Sequence, residues 1–455
     1  MIHSKHHAEA QATGPKGWPY LGVLPYVSRD LLGFFCQTAQ NYKPLGRFTA
    51  VHEHCVLLSD PALISEFYKQ DVKSFHKGKY YQILQNTLGH GLLIANGEAW
   101  QHQRQRLQPL FAKPAVVQWL DIITDETERL IRDWSLAASR QTAVELMPSF
   151  YGLTQRVIAK ILFGRTADVQ HIEAIFAAVM IISEGLLSQI IRAPILNGLL
   201  NKVPSLGNRR FQQAVRTVHR AVDALIESFD PDGADPDAVL TRLKTRDNES
   251  RPNERLRDDL ITLYIAGLDT SALALVWSVY HLARHPQHAE RVADEAHQIP
   301  WVKPYTVAIL EQLPYTRQAV DEALRLSPPV HFVSRTANEA QQLKGHSVAS
   351  NELVILSQYA MHHDPALWHC PHHFDPTRFA GNERAQQARF AYFPYGGGVR
   401  TCLGIHLAQM ELPLIIGRLF SQFQFRLATS EPVGVHPALT LRPAQDVSCY
   451  LSERT

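Results

Sequence analysis

Cys402 stands in the segment Tyr392-Phe393-Pro394-Tyr395-Gly396-Gly397-Gly398-Val399-Arg400-Thr401-Cys402-Leu403-Gly404, whose residue types suit a buried bond between sulfur and a metal. Glycines on both sides carry no Cβ, so the backbone can approach a flat partner closely. The pattern over residues 403–420 predicts a helix that starts directly after the cysteine. A helix N-terminus offers unpaired N–H groups and a positive dipole end, which favour a thiolate. Arg400 adds a cation two residues upstream. Of the metals that take one thiolate in a buried site, a haem iron fits this pattern best. The plainer reading is a buried structural cysteine beside a glycine turn.

Three other groupings carry chemistry. Ala266-Gly267-Leu268-Asp269-Thr270-Ser271 lies in the middle of an apolar helical pattern. A mid-helix glycine costs about 1 kcal/mol relative to alanine, and Asp and Thr there compete for backbone hydrogen bonds. A pocket with a carboxylate and a hydroxyl for proton delivery would justify that cost; a kinked helix with a solvated acid would not need to. Glu322-Ala323-Leu324-Arg325 puts acid and base on one helix face, with Arg378 a candidate third member. Gly97-Glu98-Ala99-Trp100-Gln101-His102-Gln103-Arg104 puts Trp100 and Arg104 four residues apart on one face. A cofactor with two carboxylates needs such donors, and Arg335 and Arg400 are further candidates. Taken alone, each of these two also reads as an ordinary helix surface.

The elements that must position these residues are mainly helical, with a minor β region. Residues 48–58 alternate like one strand, and 61–285 are overwhelmingly helical in pattern. Residues 257–284 lack proline and predict one helix of roughly 40 Å, stopped by Pro286. A second helix ends at Leu326, before Ser327-Pro328-Pro329; residues 330–357 turn β-like, and 439–451 predict a terminal hairpin. Pro413 should kink the helix after Cys402 near Gln409.

The 455 residues are 45% hydrophobic and 19% charged, which provides a large core for one two-lobed domain or two closely packed ones, with 1–20 flexible or extended. A net charge of +2 argues against nucleic acid as the main partner. Five scattered cysteines (Cys36, Cys55, Cys370, Cys402, Cys449) form no disulfide framework and suit a reducing compartment. Residues 1–16 are polar and His-rich, without the apolar core of a signal peptide. No stretch reaches 18 uninterrupted apolar residues; the nearest, 177–200, is broken by Glu184, Gln189, Arg192 and Pro194. Its part 181–200 reads as the roof of an apolar pocket, with a membrane-dipping lid as the alternative. The expectation is a soluble, cytoplasmic protein with no transmembrane anchor. The cluster His362, His363, Asp364, His369, Cys370, His372, His373 tempts a zinc reading, but its spacing matches no familiar site.

In this order, Trp/Arg, Ala-Gly-x-Asp-Thr, Glu-x-x-Arg and Gly-x-Arg-x-Cys-x-Gly resemble the cytochrome P-450 family of haem-thiolate monooxygenases, over nearly the whole chain and in the soluble, bacterial-type form. The resemblance implies that family's fold, with haem b between the long central helix and the cysteine-bearing loop and helix. It implies Cys402 as axial ligand and Thr270 with Asp269 as the pair guiding protons. It places Trp100, Arg104, Arg335 and Arg400 at the haem propionates, and Ala266, Pro394, Tyr395, Gly398, Gly404 and Ala408 elsewhere around the haem. Glu322, Arg325 and Arg378 match the structural triad behind it. Ile265, Ala266, Val330, Phe332 and, less directly, Leu439 match positions facing substrate. Tyr395 stands where the family usually has Phe, which can alter hydrogen bonding near the sulfur; Thr377 and His363 replace a common Glu and Arg.

These matches imply insertion of one oxygen atom from dioxygen into an apolar organic substrate, by hydroxylation or epoxidation. No flavin or iron–sulfur motif is present, so electrons are expected from a separate ferredoxin or flavodoxin-like donor with an NAD(P)H-dependent reductase, docked near Arg106 and Lys113. Two rivals are a peroxygenase or rearrangement enzyme, and a helical binding protein without catalysis.

Overall fold

The computed structural model describes residues 14–196, 206–246, 253–303, 305–381 and 386–454. They form a mainly helical protein with four small sheets. The chain divides into two compact units, one of Met1–His76, Phe332–Pro371 and Ala388–Tyr392, the other of Lys77–His331, His372–Gln387 and Phe393–Thr455.

The smaller unit is built on a five-stranded sheet in the order Leu45–Ala50, Glu53–Leu58, Leu353–Leu356, Val333–Ala337, Phe75–His76. The alternating run expected as one strand is a hairpin, with Leu45 opposite Leu58 and Ala50 opposite Glu53. Val51 makes the turn at φ 57°, the positive-φ geometry that two-residue hairpins use. The β-like stretch after Pro329 supplies the two antiparallel neighbours Val333–Ala337 and Leu353–Leu356. Helix Leu31–Asn41, capped by Asp30 Oδ1 accepting from the Gly33 amide at 2.9 Å, sends Phe34 and Phe35 into a core with Phe48, Leu57 and Ile355.

The larger unit is organised around one helix, Asn253–Arg284, of about 48 Å at the usual rise per residue. Pro286 does not merely stop it; it opens the next helix, Pro286–His297, at the position where proline suits a first turn. By length and mean hydropathy (1.6) the long helix is able to cross a membrane, yet 78% of that apolar stretch is buried, as in a core helix. Gly267 packs against helix Leu146–Phe163: a Cβ there would lie 2.8 Å from Ile158 Cδ1. The glycine therefore serves close packing between helices, and the open side of the helix lies elsewhere.

The helix after the cysteine, Ile405–Gln422, begins two residues later than expected and runs on through Pro413. Residues 439–451 do not make one hairpin. Leu441–Pro443 folds back on Val435–Pro437, whereas Ser448–Glu453 lies between Phe423–Leu427 and Val144–Glu145. The turn falls at Ala438, whose amide reaches Thr440 O at 3.0 Å, so the partner strand lies upstream. Helix Val169–Leu196 occupies most of the expected pocket roof, but its side chains from Glu184 on, with residues 197–200, lie outside the described residues.

Candidate functional site

The loop carrying the cysteine is held mainly by backbone hydrogen bonds, with Thr401 Oγ1 donating to Gly398 O at 2.7 Å. The Cys402 amide donates to Tyr395 O at 2.9 Å, Thr401 N to Gly398 O at 3.2 Å and Gly396 N to Phe393 O at 3.0 Å. Gly396 at φ 71° and Gly398 at φ 64° occupy left-handed backbone that a side chain would strain. Gly404 ends the loop as the N-cap position of Ile405–Gln422, with Ala408 N bonded to its carbonyl at 2.9 Å. Pro394 and Tyr395 are half-buried on the approach. Burial, then the charges of Asp321, Cys402 and Glu411, push the Tyr395 hydroxyl far above its ordinary range, so it stays neutral.

Burial raises the Cys402 thiol, the Gly404 N–H and the Arg104 guanidinium lower it, and Glu411 raises it again. Arg104, on helix Gly97–Leu107, is a cation that acts on the sulfur, though it lies about 300 residues away in sequence. Arg400 lies 4.5 Å over the ring of buried Trp100 and donates from Nη1 to Ala95 O at 3.3 Å. Trp100, Arg104, Arg400 and Cys402 therefore belong to one constellation. Arg335 is in the smaller unit, where its Nε bonds Asp71 Oδ1 at 2.9 Å.

The middle of the long helix has a window. Leu256–Tyr264 and Leu268–Leu282 are almost wholly buried, yet Ala266 is exposed and Ile265 and Thr270 are half-exposed. Cys402 has the same double character, an accessible residue whose thiol is nonetheless desolvated. Ala266 and Cys402 are thus accessible within surroundings that are otherwise largely buried, and a Cβ placed on Gly404 would meet nothing within 4 Å. One thiol, a tryptophan and two arginines make a donor set that fits a flat, dianionic group such as haem.

The two polar residues of the window differ. Thr270 Oγ1 donates to Ala266 O at 2.6 Å, one turn back, which leaves its oxygen as an acceptor. Asp269 is buried, and its carboxylate is engaged by three donors: Thr440 Oγ1 at 2.6 Å, Arg442 Nη2 at 2.8 Å, and the Tyr151 hydroxyl. Beside it Ser271 donates to the buried carboxyl of Glu411, on the cysteine helix, which burial pushes up to about 7.

Glu322, Arg325 and Arg378 meet. Arg325 Nε and Nη2 reach Glu322 Oε2 and Oε1 at 2.6 and 2.8 Å, and Arg378 Nε lies 3.3 Å from Oε1. The Asp375 amide adds a bond to Oε1 at 2.9 Å, and Arg325 Nη2 reaches His373 O at 3.1 Å. Of the substrate-facing candidates, Val330 and Ile265 are half-buried in the larger unit, Leu439 is 38% exposed at the hairpin turn, and Phe332 belongs to the smaller unit.

Sequence reasoning missed Tyr151, Thr440 and Arg442, which lie 118 to 173 residues from Asp269 with no local signal. It also missed the clamp on the loop before Trp100. Asp258 Oδ2 accepts from His90 N at 2.8 Å, Gln103 Nε2 donates to His90 O at 2.7 Å, and Lys77 Nζ reaches the carbonyls of Leu92 and Leu93. The signal was available in Gly89-His90-Gly91: a Cβ on Gly89 would lie 2.1 Å from the Asp258 carboxylate.

Comparison with known proteins gives one consistent answer. The family model of Cytochrome P450 matches residues 13–446. Cyclooctat-9-en-7-ol 5-monooxygenase of Streptomyces melanosporofaciens is 29% identical over 356 residues, 77% of this chain and 76% of its own length. LUTEIN DEFICIENT 5 of Arabidopsis thaliana, a chloroplastic protein, is 26% identical over 437 residues, covering 91% and 73%. Human Cytochrome P450 4F3 is 27% identical over 387 residues, covering 80% and 74%.

Proposed function

This chain belongs to the cytochrome P450 family, and from that premise we propose the roles of its individual residues. It is a haem-thiolate monooxygenase with haem b as cofactor, acting on an organic substrate with dioxygen and electrons from a redox partner. When bound, the haem supplies oxygen activation at an iron made electron-rich by its thiolate ligand. Cys402 provides that thiolate, and Arg104, which already favours the charged sulfur, helps keep it ionised. Trp100, Arg104 and Arg400 hold the propionates, with Arg335 a fourth candidate. Pro394, Tyr395, Gly398, Gly404 and Ala408 shape the cysteine side, and Ala266 keeps the other side flat.

Thr270 Oγ1, whose own proton is held by the Ala266 carbonyl, accepts a hydrogen bond at the window and so orients a proton donor there. Asp269 is the matching acid, and it enters proton transfer when one of its three donors releases it. Glu322, Arg325 and Arg378 brace the wall behind the cofactor. Ile265, Val330, Phe332 and Leu439 meet an apolar substrate, consistent with the Streptomyces relative named for cyclooctat-9-en-7-ol. Electrons come from a ferredoxin or flavodoxin-like donor with its reductase, and the protein works without a membrane anchor in the cytoplasm. Burial of the long apolar helix and five free thiols support that placement.

The observation that carries this reading is the grouping of Trp100, Arg104, Arg400 and Cys402, with Ala266 accessible in the otherwise buried middle of the long helix. Its test is the absorption spectrum of the purified protein. The reduced carbon monoxide complex should show the red-shifted Soret band of thiolate ligation, and Cys402→Ser should abolish that band. A colourless protein after expression with haem supplied would overturn the reading. Turnover with peroxide but none with dioxygen and a reductant would replace it with the peroxygenase alternative.

A further inference from the structure

The hairpin of Val435–Pro437 and Leu441–Pro443 has strands of three residues each. Two-stranded pieces of this size do not hold a position by themselves, so other contacts must place it. Four such contacts converge. Thr440 and Arg442 bind Asp269, Trp277 Nε1 donates to Leu441 O at 3.0 Å, and Leu441 N donates to Pro329 O at 2.9 Å. Two of the four go to a single buried carboxylate in the middle of the long helix, and Tyr151 ties a third element to the same group. Charge-assisted bonds to a desolvated carboxylate are the strongest of these. Leu439 directly precedes Thr440, at the turn the carboxylate holds.

We infer that Asp269 is the latch of the terminal hairpin, and that Thr440 and Arg442 are positioning residues that set where Leu439 stands over the substrate space. This rests on the proposed substrate-facing role of Leu439 and adds what governs it. The latch links two roles in one group. A substrate that lifts the hairpin draws Thr440 and Arg442 away from the carboxylate and frees its oxygens to take a proton from solvent water and pass that proton on. A closed hairpin keeps the acid engaged. Proton supply is thereby tied to occupancy of the pocket.

The test uses the haem-loaded enzyme and two readouts. The first is hydrogen exchange of the hairpin amides in Thr440→Val and Arg442→Gln, with Arg442→Lys as the charge-preserving control. Exchange at Ala438 and Leu441 should rise about tenfold or more in the first two variants and return toward wild type in the third. The second is binding of a series of 1-alkylimidazoles, methyl to dodecyl, which attach through nitrogen and probe the space with their chains. Affinity for the long members should change about tenfold in Thr440→Val and Arg442→Gln, while the methyl member binds as before. Wild-type exchange in both variants would overturn the latch. Faster exchange with an unchanged chain-length profile would overturn the positioning role. A wild-type protein that binds no alkylimidazole would count against the haem reading instead, and the exchange data would still judge the latch.

Discussion

Glu322 and Asp269 are both buried carboxylates engaged by arginine, but they are built in opposite ways. Glu322 is wholly buried; one guanidinium comes from the next turn of its own helix, and a second with a backbone N–H from a loop some fifty residues on. Burial pushes its carboxyl above the usual range, and Arg325, the Asp375 amide and Arg378 offset part of that rise. Asp269 has one guanidinium and two hydroxyls, each from a distant part of the chain, and sits beside the window in the long helix. A carboxylate held by two cations has no cheap way to release either. One held by a single, partly exposed Arg442 and two hydroxyls does. The first arrangement braces, and the second is able to let go.

The comparison is broken most forcefully at Glu322. Glu322→Gln leaves two guanidiniums short of countercharge in a dry site and should cost about 3–5 kcal/mol, read as a drop in the denaturation midpoint and in haem retention. A loss under 1 kcal/mol would mean the triad is not structural.

A third buried carboxyl, Glu411, sharpens the contrast because its hydrogen-bond donor is a serine rather than a cation. Burial raises it from 4.5 to about 7. Between those values the folded protein keeps a proton that the unfolded chain releases, so stability falls as pH rises through the window. The stabilisation is complete below 4.5 and is lost by about 7; its span is about 3 kcal/mol at most. Denaturant midpoints measured from pH 4.5 to 7.5 should carry this slope, and Glu411→Gln should flatten it. An unchanged slope in the variant would sink the assignment.

Tyr151→Phe removes one of the three donors on Asp269 and should cost only about 1 kcal/mol, because Thr440 and Arg442 remain. A loss comparable to Glu322→Gln would erase the distinction between brace and latch. The smallest effect is at the surface. Arg106→Glu should slow reduction by the electron donor a few-fold at low salt and hardly at all above a few hundred millimolar. Equal rates at low salt would move the docking site elsewhere.

Much of the site could be read in the chain. The Gly-x-Arg-x-Cys-x-Gly run announces a cysteine between two flexible backbones, and Glu-x-x-Arg is one helical turn. Arg104 as a cation acting on the sulfur was not legible, because it comes from a distant helix and sequence proximity does not decide which way a long side chain reaches. The neighbouring Arg400 packs over the Trp100 ring. The terminal hairpin was misplaced because Val435–Pro437 is three residues long and contains proline, so it gives almost no strand signal.

By itself the sequence determined which elements form and which residues within one turn of each other act together, since propensity, glycine placement and i, i+3 spacing are local properties. Only the tertiary structure decided that Gly267 packs against Ile158 while Ala266 stays accessible. It alone decided that Asp269 is bound by Tyr151, Thr440 and Arg442, because contacts across 118 to 173 residues arise when helices and hairpin pack, and no local pattern encodes them.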